Sequence, residues 1–430
     1  MRGVAMLVLI LFGLFLVLVF LNIPVAFTLL IISGIYIFLN DIPWLVISHV
    51  LTSSTDSFVL TAIPLFILTA NLMDQGSVTD RIIDFCKDLV GHMRGGLAHV
   101  NVVASIIFSG MSGSALADAG GLGIIEVKMM REGGYDDDFT CAITAASSII
   151  GPIIPPSIPM VIYGAISRES VGKLFLGGLI PGLFVGIALM IQAYIYAKKR
   201  NYPVAKRPPL KQIVFHFYRV FLPLLTPVII LGGIMTGFFT PTEAAAIAAL
   251  YALILGKFVY RIMSWKQCLK TFLATAMLTG VVVFIMGMAA LWSWMITNEG
   301  ITTLLVNFLT SLTKSPHVMI LLLVSILLIL GCFIEPLAIM IMILPVMLPI
   351  LQTYHISLLH FGVVMTLALM MGLLTPPFGE CLFLLSAITS VPVGRVAKAV
   401  SPYLLGIGVV LLLIMYIPSL VTWLPSVVMK

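Results

Sequence analysis

Charge is scarce in this 430-residue chain: Asp, Glu, Lys and Arg together make up 9% of it, while 61% is hydrophobic. A soluble domain needs far more polar surface, so the composition points to an all-α polytopic membrane protein. No stretch is long and polar enough for a separate soluble domain, and there is no GxxxxGK[ST] phosphate-binding loop. Any energy for work must come from an ion gradient or a partner. Cysteine is sparse too: Cys86, Cys141, Cys268, Cys332 and Cys381 are scattered without metal-type spacing, so a disulfide framework is not expected. The net charge of +6 falls in short loops, as orientation signals do, and does not point to nucleic acid. No nucleophile with its base, metal cluster or acid pair sits where a membrane enzyme would need one, so no cofactor and no catalytic residue are assigned.

What the chain does have is punctuation inside apolar runs. Gly110, Ser112, Gly113 and Ser114 interrupt one run, and Gly151, Pro152, Pro155 and Pro156 interrupt the next. No unbroken helix passes through Pro155-Pro156, because proline lacks an N–H and clashes with the preceding turn. In a bilayer the backbone groups freed there must be buried in protein or line a cavity. Two such breaks close together, rich in small and hydroxyl residues, point to an ion or substrate site at mid-membrane depth.

Taken in order, residues 4–21 read as a retained first span without a cleavage site, followed by spans to about 39 and over 58–72. Residues 76–94 alternate apolar and charged positions at helical spacing, as an interfacial arm helix does. Residues 95–110 and 115–130 are each shorter than the ~20 residues a span needs, and read as a re-entrant hairpin over about 95–130. A broken span over about 139–166 and a span over 171–197 complete the first half. A basic stretch at 198–211, with Lys198, Lys199, Arg200, Lys206, Arg207 and Lys211, is cytoplasmic by the positive-inside rule. Spans follow at about 217–238, 242–260 and 271–296. Then come an arm at about 300–312, a hairpin at about 317–351, a broken span at about 357–390 and a last span at about 400–424.

The second half repeats the first. Gly331 follows Gly110, Gly372 follows Gly151, Pro376 follows Pro155 and Pro402 follows Pro181, each by 221 residues. The expected organisation is therefore a repeat at 1–197, a cytoplasmic loop at 198–216 and a second repeat at 217–430. Each half has about five spans and one hairpin. An odd number of crossings makes the repeats inverted in topology. The first hairpin then opens to the cytoplasm and the second to the outside, with Lys173 outside and Arg395 and Lys398 inside; Arg2, falling outside, conflicts weakly.

Inverted repeats with broken helices are the build of many secondary transporters, in which the site forms where hairpin tips meet helix breaks. Two cation sites of carbonyl and hydroxyl oxygen are expected, since small hard cations favour oxygen ligands. The first would draw on Gly110, Ser112, Ser114, Ser147, Ser148, Gly151 and Pro155. The second would draw on Gly331, Phe333, Glu335, Gly372, Thr375 and Pro376. Ser112, Asp118, Pro156, Ser157 and Pro377 are candidates for substrate contact or coupling. Glu126, Glu243 and Glu380 read as structural or interfacial.

The run Gly113-Ser-Ala-Leu-Ala-Asp118, then Gly134-Tyr, then Ala145 through Gly164 with its Gly151-Pro and Pro155-Pro-Ser, resembles the large, DctM-type membrane subunit of TRAP (tripartite ATP-independent periplasmic) transporters. Thr375-Pro-Pro-Phe-Gly379 is similar to that subunit's second signature, and the likeness covers essentially the whole chain. The resemblance implies an ion-transporter fold, with a scaffold domain holding the arms and a transport domain carrying both hairpins. It also implies Na⁺-coupled uptake of an organic acid (a C4-dicarboxylate, sialic acid or keto sugar acid) by elevator movement in a bacterial inner membrane. The implied partners are a periplasmic substrate-binding protein and a small four-helix membrane subunit, expected as a separate chain because the repeats use all 430 residues. Glu335-Pro336, where many relatives have aspartate, and Gly379-Glu380-Cys381 depart from the pattern. A stand-alone Na⁺/carboxylate symporter, a membrane enzyme and a passive channel are the competing readings.

Overall fold

A computed structural model describes residues 10–429, apart from 12, 16, 19, 20, 22, 57 and 74–76. These described residues form helices joined by short turns, with no strand among them. Among the described residues six helices are long and apolar enough to cross a membrane, or seven if the pair Leu45–Thr55 and Phe58–Met73, bent by 64°, is one span. Of the first span read from the sequence, residues 4–9, 12, 16, 19 and 20 lie outside the described residues, as do Arg2 and Gly76; the described ones from 10 to 18 are helical.

Several boundaries differ from the sequence reading. The helix Leu45–Thr55 was not anticipated, because Ser48, Thr52, Ser53, Ser54 and Thr55 make it look like a loop. Its hydroxyls instead turn back onto the helix's own carbonyls, as with Thr52 to Ser48 at 2.8 Å and Thr55 to Leu51 at 3.0 Å. The helix Leu210–Met235 begins inside the predicted cytoplasmic loop. Its polar first turns are used: Gln212 donates to Asp88 at 2.8 Å, and His216 Nδ1 lies 2.5 Å from the other Asp88 oxygen. The last span starts at Val393 and ends at Tyr416, where Pro418 cannot continue it, and a short helix Ser419–Val428 follows.

The arm Ser77–Val90 lays one face on Leu210–Met235 and on the first hairpin helix, Gly96–Ser112. Val78, Ile82, Ile83 and Cys86 make that face, and all are buried. The helix Pro241–Ile254 packs closely on Ala62–Met73. Thr242, Ala244, Ala245, Ala248, Ala249 and Ala252 are its buried positions, and small residues of this kind let membrane helices approach. Its start is fixed by a capping box: Thr240 accepts from the Glu243 amide at 3.3 Å, and the Glu243 carboxylate accepts from the Thr240 amide at 2.8 Å. Glu243 is thus a cap.

The two halves are interleaved. Ile158–Ser167, which follows the first break, packs on Pro336–Thr353 of the second hairpin. Glu380–Thr389, which follows the second break, packs in return on the first hairpin's turn at Asp118–Leu122. Each half's hairpin is therefore wedged against the other half's broken span.

Candidate functional site

The first hairpin helix stops at Gly113, whose φ of 63° is open to glycine at little cost. Ser114 then caps a single turn, accepting from the Ala117 amide at 3.4 Å, and the chain widens into a π turn over Asp118–Leu122 before the helix Gly123–Glu132. Opposite this tip, Asp137–Ser148 ends in tight turns through Gly151, and the chain passes a cis Pro155-Pro156 bond before Ile158–Ser167. Ser157 caps that second helix, its hydroxyl donating to the Pro152 carbonyl and accepting from the Met160 amide at 3.2 Å.

Tip and break meet backbone to backbone. The Ile158 amide donates to the Gly113 carbonyl at 3.4 Å. A Cβ on Gly113 would lie 2.4 Å from the Pro156 carbonyl oxygen. A Cβ on Gly151 would lie 3.2 Å from the carbonyl oxygens of both Ser114 and Ser148. Bare glycine thus keeps carbonyls of the tip and the break converging around residue 151. The Ser112 hydroxyl is buried at 1% exposure, with no hydrogen-bond partner among the described residues. An orphaned hydroxyl beside converging carbonyls is an oxygen set that a cation would complete.

Ser147 and Ser148 lie on the helix just before the break. Ser147 donates to Asn101 Oδ1 at 2.7 Å, and Asn101 Nδ2 donates to Thr144 at 2.7 Å. Ser148 donates to the Ala145 carbonyl at 2.9 Å and lies 3.7 Å from the Cys381 sulfur. A hydroxyl with its proton engaged keeps oxygen lone pairs for a cation. Asn101 escaped the sequence reading, although a polar amide inside an apolar hairpin helix was the signal to follow. Gly110 lies further from the tip, where a Cβ would meet Pro227 at 2.9 Å; its smallness lets Leu210–Met235 approach. Asp118 is buried at the head of the π turn. Glu126 is fully buried on the returning helix, and neither carboxylate oxygen has a hydrogen-bond partner among the described residues.

The second half builds the same junction. Pro316–Gly331 ends at the second tip, and Leu358–Gly372 ends in turns leading to a cis Pro376-Pro377 bond. The Phe378 amide donates to the Cys332 carbonyl at 3.0 Å, a tip-to-break bond like that from Ile158 to Gly113, made one residue earlier in the break and two earlier in the tip than the 221-residue offset would place it. A Cβ on Gly372 would lie 2.6 Å from the Gly331 oxygen, so the two glycines touch directly. Thr375 donates to the Met371 carbonyl at 2.8 Å. Glu335 caps Pro336–Thr353, accepting from the Ala338 amide at 2.8 Å, so one of its oxygens has a structural task. Phe333 is 41% exposed and Glu380 opens the half-helix after Gly379. The two breaks differ in access: Gly151 to Ser157 are all buried, whereas Pro376, Pro377 and Phe378 are exposed.

Among the described residues no three His, Cys, Asp or Glu side chains gather as a metal site. The sequence profile of the family described as "Tripartite ATP-independent periplasmic transporter, DctM component" matches residues 12–420. The chain belongs to this family. It is 42% identical over 410 residues to the sialic acid TRAP transporter large permease protein SiaM of Vibrio cholerae, covering 95% of this chain and 96% of that one. It is 39% identical over 376 residues to the C4-dicarboxylate TRAP transporter large permease protein DctM of Pseudomonas aeruginosa, covering 87% and 88%. The fold is similar to the crystal structure of the Alcanivorax borkumensis YdaH transporter, with a TM-score of 0.64 at 14% identity over 86% of each chain. This chain is a TRAP-family permease component, a multi-pass membrane transport protein and not an enzyme.

Proposed function

We propose that this permease is the large transmembrane subunit of a Na⁺-coupled TRAP transporter that imports an organic acid across a bacterial inner membrane. The observation that carries the reading is the junction made twice, in which a hairpin tip carbonyl accepts the amide that follows a Pro-Pro break. The two halves are inverted repeats, at 1–197 and 217–430, with the stretch at 198–216 between them on the cytoplasmic side. The constant 221-residue offset and the reciprocal wedging of hairpins and breaks support this. Na⁺ binds among the oxygens of Ser112, Ser114, Ser148 and Gly151 at one tip, and of Gly331, Gly372 and Thr375 at the other. The carboxylate of the substrate is held near the half-helix starts at Ser157 and Gly379, where N-terminal amides favour an anion. Hairpins and broken spans move together as an elevator against a scaffold of arms and long helices. A small four-helix subunit and a periplasmic binding protein complete the system. The relatives named for sialic acid and C4-dicarboxylate transport support an organic acid as the substrate class.

The site assignment is tested by sodium activation of uptake in reconstituted Ser112→Ala and Gly151→Val variants. Each is expected to raise the Na⁺ concentration for half-maximal uptake about tenfold, as loss of roughly 1.4 kcal/mol of ion binding would. Unchanged activation in both variants, at normal insertion, would remove the first site from the account.

A further inference from the structure

At the opposite end of Asp137–Ser148 from the tip, three helix ends enclose a cavity of about 380 Å³. Ten residues separate Asp138 from Ser148, about 15 Å along the axis at 1.5 Å per residue, so the cavity is separate from the tip junction. Asp138, Tyr196, Arg200, Arg395, Lys398 and Tyr403 are among its lining residues. Arg200 is paired with Asp136 at 2.7 Å and Arg395 with Asp138 at 2.9 Å. Lys398 has no carboxylate partner among the described residues. The Tyr403 side chain is 2% exposed, yet its hydroxyl has no hydrogen-bond partner among the described residues. A donor hydroxyl and an unmatched ammonium beside two guanidinium groups make a set suited to a phosphate, which accepts from all of them. Lys398 and Pro402 continue at helical spacing into Leu405 and Val409, which are 74% and 56% exposed. That apolar stripe offers a track for an acyl chain and sets a lipid apart from a soluble phosphate.

We propose that this cavity binds the phosphate of an anionic phospholipid, with its acyl chain along Leu405 and Val409. With the orientation proposed above, the lipid belongs to the cytoplasmic leaflet, whose anionic lipids are drawn to basic residues at the membrane surface. The site lies between the helix ends that follow the two broken spans, so the lipid would tie the two halves together.

The test is native mass spectrometry on the delipidated, detergent-purified chain, titrated with phosphatidylglycerol, phosphatidylcholine or inorganic phosphate. Phosphatidylglycerol is expected to bind at least tenfold more tightly than phosphatidylcholine. Lys398→Gln and Tyr403→Phe should each weaken it about ten- to a hundredfold, the loss of a hydrogen bond to a charged group. Tyr403→Phe removes only the hydroxyl and is checked for folding by its elution profile and melting temperature. Equal binding of the two lipids, or unweakened phosphatidylglycerol binding in both folded variants, would overturn the proposal. Displacement of phosphatidylglycerol by an equal concentration of inorganic phosphate would overturn the lipid assignment.

Discussion

Glycine decides the geometry at the tips. Gly113 has a left-handed φ and a carbonyl oxygen 2.4 Å from where a Cβ would stand, and Gly372 would press a Cβ to within 2.6 Å of Gly331. Because the crowding atoms are backbone, neither clash is relieved by a side-chain rotation. Gly113→Ala and Gly372→Ala are therefore expected to lower stability by about 1–3 kcal/mol each and to cut transport further than stability. Melting temperature and uptake measured together would show whether both losses occur. A second residue-scale case lies outside the membrane, where Asp136 accepts from Tyr202 at 2.6 Å and pairs with Arg200. The Tyr202 hydrogen bond, helped by Arg200 against partial burial, holds the Asp136 carboxyl below its ordinary range. The stabilisation from a lowered carboxyl is complete above the ordinary value of about 3.9 and is lost as pH falls through the folded-state value. Hydrogen exchange in residues 200–209, taken relative to the intrinsic amide rate at each pH, should thus be flat from pH 8 to 5 and rise only in stronger acid, with Tyr202→Phe bringing that rise to higher pH. A rise centred near neutrality would contradict this assignment.

Among the elements, the arm Ser77–Val90 depends on a polar clasp. Asp88 is 4% exposed and held by Gln212 and His216. Asp88→Leu strands two polar partners and is expected to cost about 1–3 kcal/mol, read as a lowered melting temperature. Asp88→Asn, which keeps an acceptor, should cost less. This clasp explains one boundary that the sequence obscured. Gln212 and His216 look like loop because a hydropathy reading cannot know that Asp88, over a hundred residues earlier, will satisfy them. The helix Leu45–Thr55 was hidden for a similar reason, its hydroxyls being absorbed by its own backbone. What was legible came from punctuation. Gly110 to Ser114, Pro155-Pro156 and Pro376-Pro377 mark helix ends because their limits are local, and the helices do end there. At the tips, Ser112, Gly151 and Gly372 were readable as small or hydroxyl residues at a break. Asn101 carried a signal as an amide in an apolar helix, but its pairing with Ser147 was not readable, nor was that of Cys381 with Ser148, since these pairs meet only through tertiary packing.

For the whole molecule, the helices after the two breaks cross over, Ile158–Ser167 onto Pro336–Thr353 and Glu380–Thr389 onto Asp118–Leu122, and Pro336–Thr353 also packs on the 34-residue Trp265–Asn298. At 1.5 Å per residue that helix is about 50 Å long, more than the ~30 Å hydrocarbon core, a length suited to a fixed frame. The 221-residue offset between glycines and prolines was legible in the sequence, but the reciprocal packing of post-break helices on the opposite half was not, because sequence spacing says nothing about which elements touch. The central claim is sodium-energised import by a three-part system. It is tested most directly by uptake of labelled sialic acid and C4-dicarboxylates into proteoliposomes. The permease would be assayed alone, with its small subunit, and with both that subunit and the binding protein, each with and without an inward Na⁺ gradient. The account predicts accumulation only in the complete system and only with the gradient. Gradient-independent uptake, or full uptake by the permease alone, would contradict it.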